Sequence, residues 1–355
     1  MIEIIELILP YIKGLWALPW IAVGFFVTIL LSKLYGEDSI SNAMKKIGLI
    51  LLYVFVPLLL FRILLSVDFQ QNEIIFTMIC FTILLLMYIL AYFFAKFLSN
   101  KYKLFGKSKG IYIKTVLTNQ GRSSAFVGGA LLAIEEWRVF ATIYMIIGAI
   151  FLFAIIPYIL NYLHRKNLKK SQKSTNIHAL PWYLRVFPWY LLLFAFSAVI
   201  VHSTIGFTSK NLGDFGTVFE FITQLTIPAA LYYVGAGVHP SDLKISELKK
   251  LFGFDNKKTK DDHWQWVRNM FFLTVVITPL ILLIIFTPLL VTGIIQKTWF
   301  PVIMINAILP VTSTNMFLLP YGIDKKSTAH IVTWTTFVCV PIVVVLITVF
   351  GIYFS

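Results

Sequence analysis

Charge is scarce in this 355-residue chain: Asp, Glu, Lys and Arg together make up 13% of it, and acidic residues, at 16, are about half as frequent as basic ones. Soluble domains carry about a quarter charged residues, so a water-facing globular surface is excluded for most of the sequence. Cysteine is nearly absent. Cys80 and Cys339 both fall in apolar stretches, which rules out a disulfide framework and offers no metal-ligand spacing. Histidine is sparse too: His164, His178, His202, His239 and His263 are scattered, and His330 stands apart near the C-terminal end. No Ser, His and Asp constellation and no glycine-rich phosphate loop is visible, so neither an enzyme nor a cofactor is expected. The formal charge of +14 does not point to nucleic acid, because the basic residues lie in short loops between apolar runs.

What the chain has in abundance is apolar sequence, 59% of residues, with a mean hydropathy of +0.84. Runs of about 20 apolar residues, long enough to cross roughly 30 Å of hydrocarbon as helices, recur along nearly all of it. The predicted spans are Trp16 to Tyr35, Asn42 to Ser66, Glu73 to Leu98, Tyr112 to Ala133, Val139 to Leu163, Phe187 to Gly206, Phe215 to Val238, Asn269 to Ile295, Phe300 to Leu319 and Thr328 to Phe354. The piece Met1 to Lys13 carries Glu3 and Glu6 rather than the positive start of a secretory signal, and reads as an interfacial lead-in. The expected fold is therefore an all-α membrane protein of ten transmembrane helices.

Alternate loops differ sharply in charge. One set holds 24 of the 30 Lys and Arg residues, the other five, and Arg122 stands inside a span. The positive-inside rule places the rich set in the cytoplasm and both termini outside, with the cytoplasmic membrane as the location. The longest of these loops, 164–186, separates two five-helix halves, 1–163 and 187–355. Their landmarks correspond in order: Pro19-Trp20 with Pro188-Trp189, Pro57 with Pro228, Pro157 with Pro341, and Glu135-Glu136 with Ile323-Asp324. Such order favours an internal duplication, and because five is odd the second copy is inverted.

The fourth and ninth spans hold equivalent places and are both interrupted. One reads Thr118-Asn119-Gln120-Gly121-Arg122-Ser123-Ser124, the other Pro310-Val311-Thr312-Ser313-Thr314-Asn315. Amides, hydroxyls and a guanidinium facing lipid would cost several kcal/mol per unsatisfied group. These segments are expected to unwind near the midplane and cross, with half-helix N-termini and Arg122 aimed at a shared anion site. Asn119, Gln120, Gly121, Arg122, Ser123, Ser124, Pro310, Thr312, Ser313, Thr314 and Asn315 are the candidate substrate-binding residues. Other readings of the same residues are a snorkelling Arg122, or one paired with Glu135, Glu136 or Glu220, and interhelical hydrogen bonds from Thr312 to Asn315. Glu220, which shares a face with Gln224, and His330 are candidate proton carriers.

The motif Leu309-Pro310-Val311-Thr312-Ser313-Thr314-Asn315, then Tyr321-Gly322-Ile323-Asp324 and the Thr-rich stretch to Pro341, resembles the auxin efflux carrier family of plant PIN transporters and bacterial permeases for malate and malonate. Ile227-Pro228-Ala229-Ala230-Leu231 through Gly235-Ala236-Gly237 and the pair Asn119 and Gly121 are similar as well. The resemblance implies a ten-helix fold in which spans 1, 2, 6 and 7 form a scaffold, suited to a homodimer contact, and spans 3 to 5 and 8 to 10 a moving transport domain. It implies crossover asparagines at Asn119 and Asn315, and secondary transport of a small organic anion. The chain departs from the family pattern at Ser124 and Phe126, where Gly and Pro are usual, and at Arg122, where an apolar residue is usual. A fixed cation there could fill the electrostatic role of a coupling ion. A second functional reading is a receptor or accessory subunit of an envelope-modifying complex, without transport; midplane polarity argues against it.

Overall fold

The computed structural model describes residues 17–65, 71–123, 131, 134–170, 182–236, 245–253 and 262–354. These residues are almost wholly helical, and among them the one β-type pairing is an isolated bridge. Among the described residues four helices are long and apolar enough to cross a membrane: Asn42–Leu64, Gln71–Lys101, His263–Val291 and Lys325–Phe354. Shorter apolar helices are Ala22–Tyr35, Leu192–Ile205 and Trp299–Ile308. The chain is an all-α membrane protein.

It folds into two compact units, each drawn from both halves of the sequence. Unit one comprises 1–79, 124–154 and 183–236; unit two comprises 80–123, 155–182 and 237–355. The helix Gln71–Lys101, 31 residues and roughly 45 Å long, is divided between them at Ile79 and Cys80.

Unit one is held by apolar packing. Helix Ala17–Tyr35 lies so close to helix Thr226–Ala236 that a Cβ on Gly24 would collide with the Tyr232 carbonyl. Glycine is required there because two backbones meet, the usual device where lipid offers no hydrophobic drive for association. Rings add edge contacts, Phe76 with Phe140 at 5.0 Å and Phe61 with Phe194 at 6.0 Å.

Among the described residues three helices contain a five-residue π turn: Leu51–Phe55, Phe151–Ile155 and Leu273–Ile277. In each case proline follows two residues later, at Pro57, Pro157 and Pro279. Proline lacks an N–H and its ring presses on the preceding turn, and the wider turn makes room for it. In unit one the carbonyl of Phe55 accepts from Thr226 Oγ1, at 3.4 Å. The prolines matched by sequence are not all treated alike. Pro57 and Pro228 both follow an interruption, whereas Pro157 follows a π turn and Pro341 lies within the continuous helix Lys325–Phe354.

Unit two is built around helix Trp299–Ile308, every residue of which is buried. Helices Gly106–Thr118, Ile156–Lys170, Asp262–Phe272 with its continuation Thr278–Val291, and Lys325–Phe354 also belong to the unit, as do Ile245–Phe252 and the part of Gln71–Lys101 from Cys80 onward. At 13 and 10 residues, Gly106–Thr118 and Trp299–Ile308 reach roughly 20 and 15 Å, about half the apolar thickness of a bilayer.

Candidate functional site

Both short helices stop where their sequences dictate. Leu309 precedes Pro310 and is pushed out of the helical region to φ −54°, ψ 148°, so the helix ends at Ile308. On the other segment Asn119 adopts φ −79°, ψ 12°, a helix-ending conformation, and its side-chain Nδ2 donates to the Thr115 carbonyl at 2.8 Å. The same carbonyl accepts from the Asn119 backbone N–H at 3.1 Å, so the backbone and side chain of Asn119 together close the last turn.

Beyond these ends the two chains run antiparallel. Arg122 pairs with Val311 as a β-bridge; Ser123 N donates to the Pro310 carbonyl at 2.9 Å, and Thr312 N to the Gly121 carbonyl at 3.0 Å. The Val311 N–H, which faces away from the pair, donates to Thr335 Oγ1 at 3.0 Å on helix Lys325–Phe354. All the backbone groups named here are thus satisfied although no helix continues through the crossing. The chain then enters a nine-residue 3-10 helix, Ser313–Tyr321, capped by Thr312, and leaves it through left-handed Gly322 at φ 73°. Runs of this length are uncommon.

The structure therefore brings Asn119, Gln120, Gly121, Arg122 and Ser123 together with Pro310, Thr312, Ser313, Thr314 and Asn315. Ser124 lies outside the described residues. Within this group the side chains divide by what they bond. Asn119 commits its amino group to Thr115 and to Thr328 Oγ1, at 3.3 Å, with the Met270 sulfur at 3.5 Å. Thr312 and Thr314 bond each other, Oγ1 to Oγ1 at 2.8 Å. Gln120, Ser123 and Asn315 behave differently. They are at most 1% exposed, and among the described residues neither the amide atoms of Gln120 and Asn315 nor the Ser123 hydroxyl has a hydrogen-bond partner. A buried polar group in that condition costs about 1–3 kcal/mol, which makes these three the side chains a ligand would serve.

Arg122 is 8% exposed and lies near enough to Tyr88 and Cys339 to act on both electrostatically. Two of the helix ends described at the crossing, at Thr118 and Ile308, are C-termini, and one, at Ser313, is an N-terminus. The half-helix N-terminus expected after Arg122 falls within 124–130, outside the described residues. Partial negative charge from the two C-termini helps to hold a guanidinium here.

The two candidate proton carriers are placed elsewhere. Glu220 belongs to unit one, where its carboxylate is 3.2 Å from Arg62 Nη1 and accepts from Gln224 Nε2 at 3.1 Å, with half its side chain exposed. It therefore has local partners distinct from Arg122. His330 belongs to unit two; its ring packs on His263 and Trp264 at 4.9 Å each, and its Nδ1 is 2.9 Å from the Lys326 carbonyl.

A second polar cluster in unit two was not anticipated as a site. Asp324 accepts from the Ser327 N–H at 2.7 Å, capping helix Lys325–Phe354, and stands 3.9 Å from His263 Nδ1. His263 and the Ser327 hydrogen bonds hold its carboxyl down to about 2, against a smaller opposing effect of burial. Lys114, 3% exposed, donates to the Tyr321 carbonyl at 2.6 Å and lies 3.2 Å from His164 Nδ1. The sequence did contain a signal for it, since Lys114 falls inside the predicted fourth span, where an ionisable side chain marks function by default. The chain matches no known protein family and no characterised protein at a significant level.

Proposed function

We propose that the protein is a secondary transporter that carries a small organic anion, a carboxylate by its chemistry, across the cytoplasmic membrane by alternating access. The observation that carries this reading is the antiparallel crossing of 119–123 with 310–315. Two helices are interrupted at one place, their backbones are satisfied by each other, and Gln120, Ser123 and Asn315 are left without protein partners beside a buried arginine. Interrupted helices of this kind suit substrate sites in transporters, and a guanidinium offers a planar, two-pronged match to a carboxylate.

In this reading the chain forms ten spans as two inverted five-helix repeats, with both termini outside and the loops rich in Lys and Arg in the cytoplasm. The charge partition supports that orientation. So does the way segments assigned to the cytoplasmic side meet: Lys114 with His164 and Tyr321, Thr115 with Asp324, and His263 with Ser327. The resemblance to auxin efflux carriers belongs to the same proposal, with Asn119 as a residue that positions the crossing and Arg122, Gln120, Ser123 and Asn315 as the binding set.

Two measurements test it on the purified protein. In a thermal-shift screen of small mono-, di- and hydroxycarboxylates, a true substrate at 100 times its Kd should stabilise the protein by about 2.7 kcal/mol. The same compound should accumulate in proteoliposomes under an imposed gradient. Absence of both stabilisation and uptake across the panel would sink the proposal.

A further inference from the structure

The cluster around Lys114 has a feature that neither packing nor the anion site requires. An ammonium group has only donors to offer. For Lys114 Nζ to lie 3.2 Å from His164 Nδ1 as a hydrogen-bonded pair, that nitrogen must present its lone pair, and the imidazole is neutral with its proton on Nε2. The other partner of Lys114, the Tyr321 carbonyl, is neutral as well. A second proton on this pair would set two cations in contact with no carboxylate bound to either among the described hydrogen bonds and ion pairs. The pair therefore takes up a proton only by separating.

Separation has consequences because the pair is wedged against a turn. Gly322 sits at φ 73°, and a Cβ there would lie 2.8 Å from Lys114 Nζ and 3.2 Å from His164 Nδ1. The turn is shaped to receive these two nitrogens. It is also tied to the crossing: Asp324 N donates to Thr115 Oγ1 at 2.8 Å, and Thr328 Oγ1 donates to the Asp324 carbonyl at 2.8 Å. Asn119 Nδ2 bonds both the Thr115 carbonyl and Thr328 Oγ1. Every link in this chain lies within unit two.

We propose that Lys114 and His164 form a proton-binding site that latches the Tyr321–Asp324 turn, and that proton uptake at His164 releases the turn and, through Thr115 and Thr328, alters the setting of Asn119 at the crossing. The latch stands on the geometry alone; its use as the coupling step rests on the transport reading above.

The charged and titratable groups on the elements packed around His164 are Lys107, Lys109, Tyr112 and Lys114 on helix Gly106–Thr118, and Tyr321 and Asp324 in the turn. Tyr162 and Arg165 flank it on its own helix. Burial first, and then the Lys114 charge, pull the His164 imidazole below its ordinary value, while the Tyr321 backbone pulls weakly the other way. A histidine depressed in the folded state contributes stability that is present above its unfolded pKa, about 6.5, and is lost as pH falls through the folded value. The latch is thus closed at neutral pH and opens on acidification.

The experiment uses the full chain in detergent with Cys80 and Cys339 replaced by Ala and a single reporter, Ile323→Cys, in the turn; Ile323 is 7% exposed. Its alkylation rate is read against an exposed reference, Phe105→Cys, to remove the intrinsic pH dependence of the thiol. With His164 present, the ratio should rise about tenfold between pH 8 and pH 5. In His164→Gln, whose amide oxygen still accepts from Lys114 but does not titrate, the ratio should stay flat and low. In Lys114→Gln it should be high at every pH. A flat ratio with His164 present, or an equal rise in His164→Gln, overturns the proposal. Because labelling does not depend on uptake, a protein that moves no anion leaves this result as decisive as before, and an open latch without transport would count against the transport reading only.

Discussion

The two units bury different chemistry. Among the described residues of unit one, the buried polar side chains are three threonines, Thr142, Thr223 and Thr226. Unit two buries Lys114, Asn119, Gln120, Arg122, Ser123, Asn306 and Asn315 together with a run of hydroxyls from Thr312 to Thr336. Burying polar groups costs free energy unless every one is bonded; unbonded buried atoms occur in both units, on Thr28, Glu73 and Trp137 in unit one, but at the crossing in unit two they gather on neighbouring residues. Natural proteins concentrate such local inconsistency at functional positions. The contrast teaches that stability and function are separable here. Changes in unit one should read out mainly as lost packing, and changes at the crossing as lost binding.

The sharpest way to break that contrast is Arg122. Hydrogen bonds to a charged group contribute about 1.5–3 kcal/mol, so Arg122→Gln should weaken carboxylate binding by on the order of a hundredfold, with Arg122→Lys in between because an ammonium cannot reproduce the two-pronged geometry. Ligand-dependent melting and uptake measure this. A well-folded Arg122→Gln protein of unchanged affinity would remove the arginine from the site. Poor expression of both variants would instead mark a structural role for the charge.

Gly24→Ala probes unit one in the opposite sense. The added methyl meets the Tyr232 carbonyl, and overpacking of this kind costs typically about 1–3 kcal/mol. Melting temperature and yield should fall while the affinity of whatever folds is retained. Gly148, where an added Cβ would meet nothing within 4 Å, is the control, and Gly148→Ala should be neutral or stabilising by up to about 1 kcal/mol.

At the crossing the signs reverse. Gln120→Leu removes two buried amide atoms that have no protein partner, so it should raise the melting temperature slightly, by the equivalent of about 1 kcal/mol, and depress uptake. A destabilised Gln120→Leu protein would show that the amide is structural after all.

Smaller effects belong to the carboxylates. Asp324, held near pH 2 by His263 and the Ser327 hydrogen bonds, contributes stability that is complete above its unfolded value, about 4, and is lost as pH falls through the folded one. Asp324→Asn should flatten acid unfolding in that window and, because Asn caps a helix about as well as Asp, cost under about 1 kcal/mol at neutral pH through the lost charge at the helix N-terminus. Glu220→Gln, breaking a partly exposed pair with Arg62, should cost under about 1 kcal/mol and leave the pH dependence of uptake unchanged. A shifted pH profile would restore Glu220 as a proton carrier.

Much of the crossing is legible residue by residue. Pro310 disfavours helical backbone at Leu309, and Asn119 with Gly121 supplies a side chain that competes for backbone carbonyls and a residue without a Cβ. Both effects act over a few residues, so they can be read without knowing the fold. The division of labour inside the motif is not legible in this way. Asn119 and Asn315 look equivalent on paper, yet one commits its amino group to Thr115 and Thr328 while the other's side chain bonds nothing in the protein. Lys114 and His164 are separated by 50 residues, and Lys114 and Tyr321 by 207; no periodicity or spacing rule connects positions so far apart.

By itself, then, the sequence determined the solvent, the helical class and the places where two helices must break, because hydropathy, proline and glycine act locally on the backbone. Only the tertiary structure decided that Arg122 pairs with Val311, that Gln120, Ser123 and Asn315 bond nothing among the described residues, and that a buried lysine and a histidine close on the turn at Gly322. Those outcomes depend on which distant segments meet, and that is set by the packing of whole helices rather than by any residue's own preference.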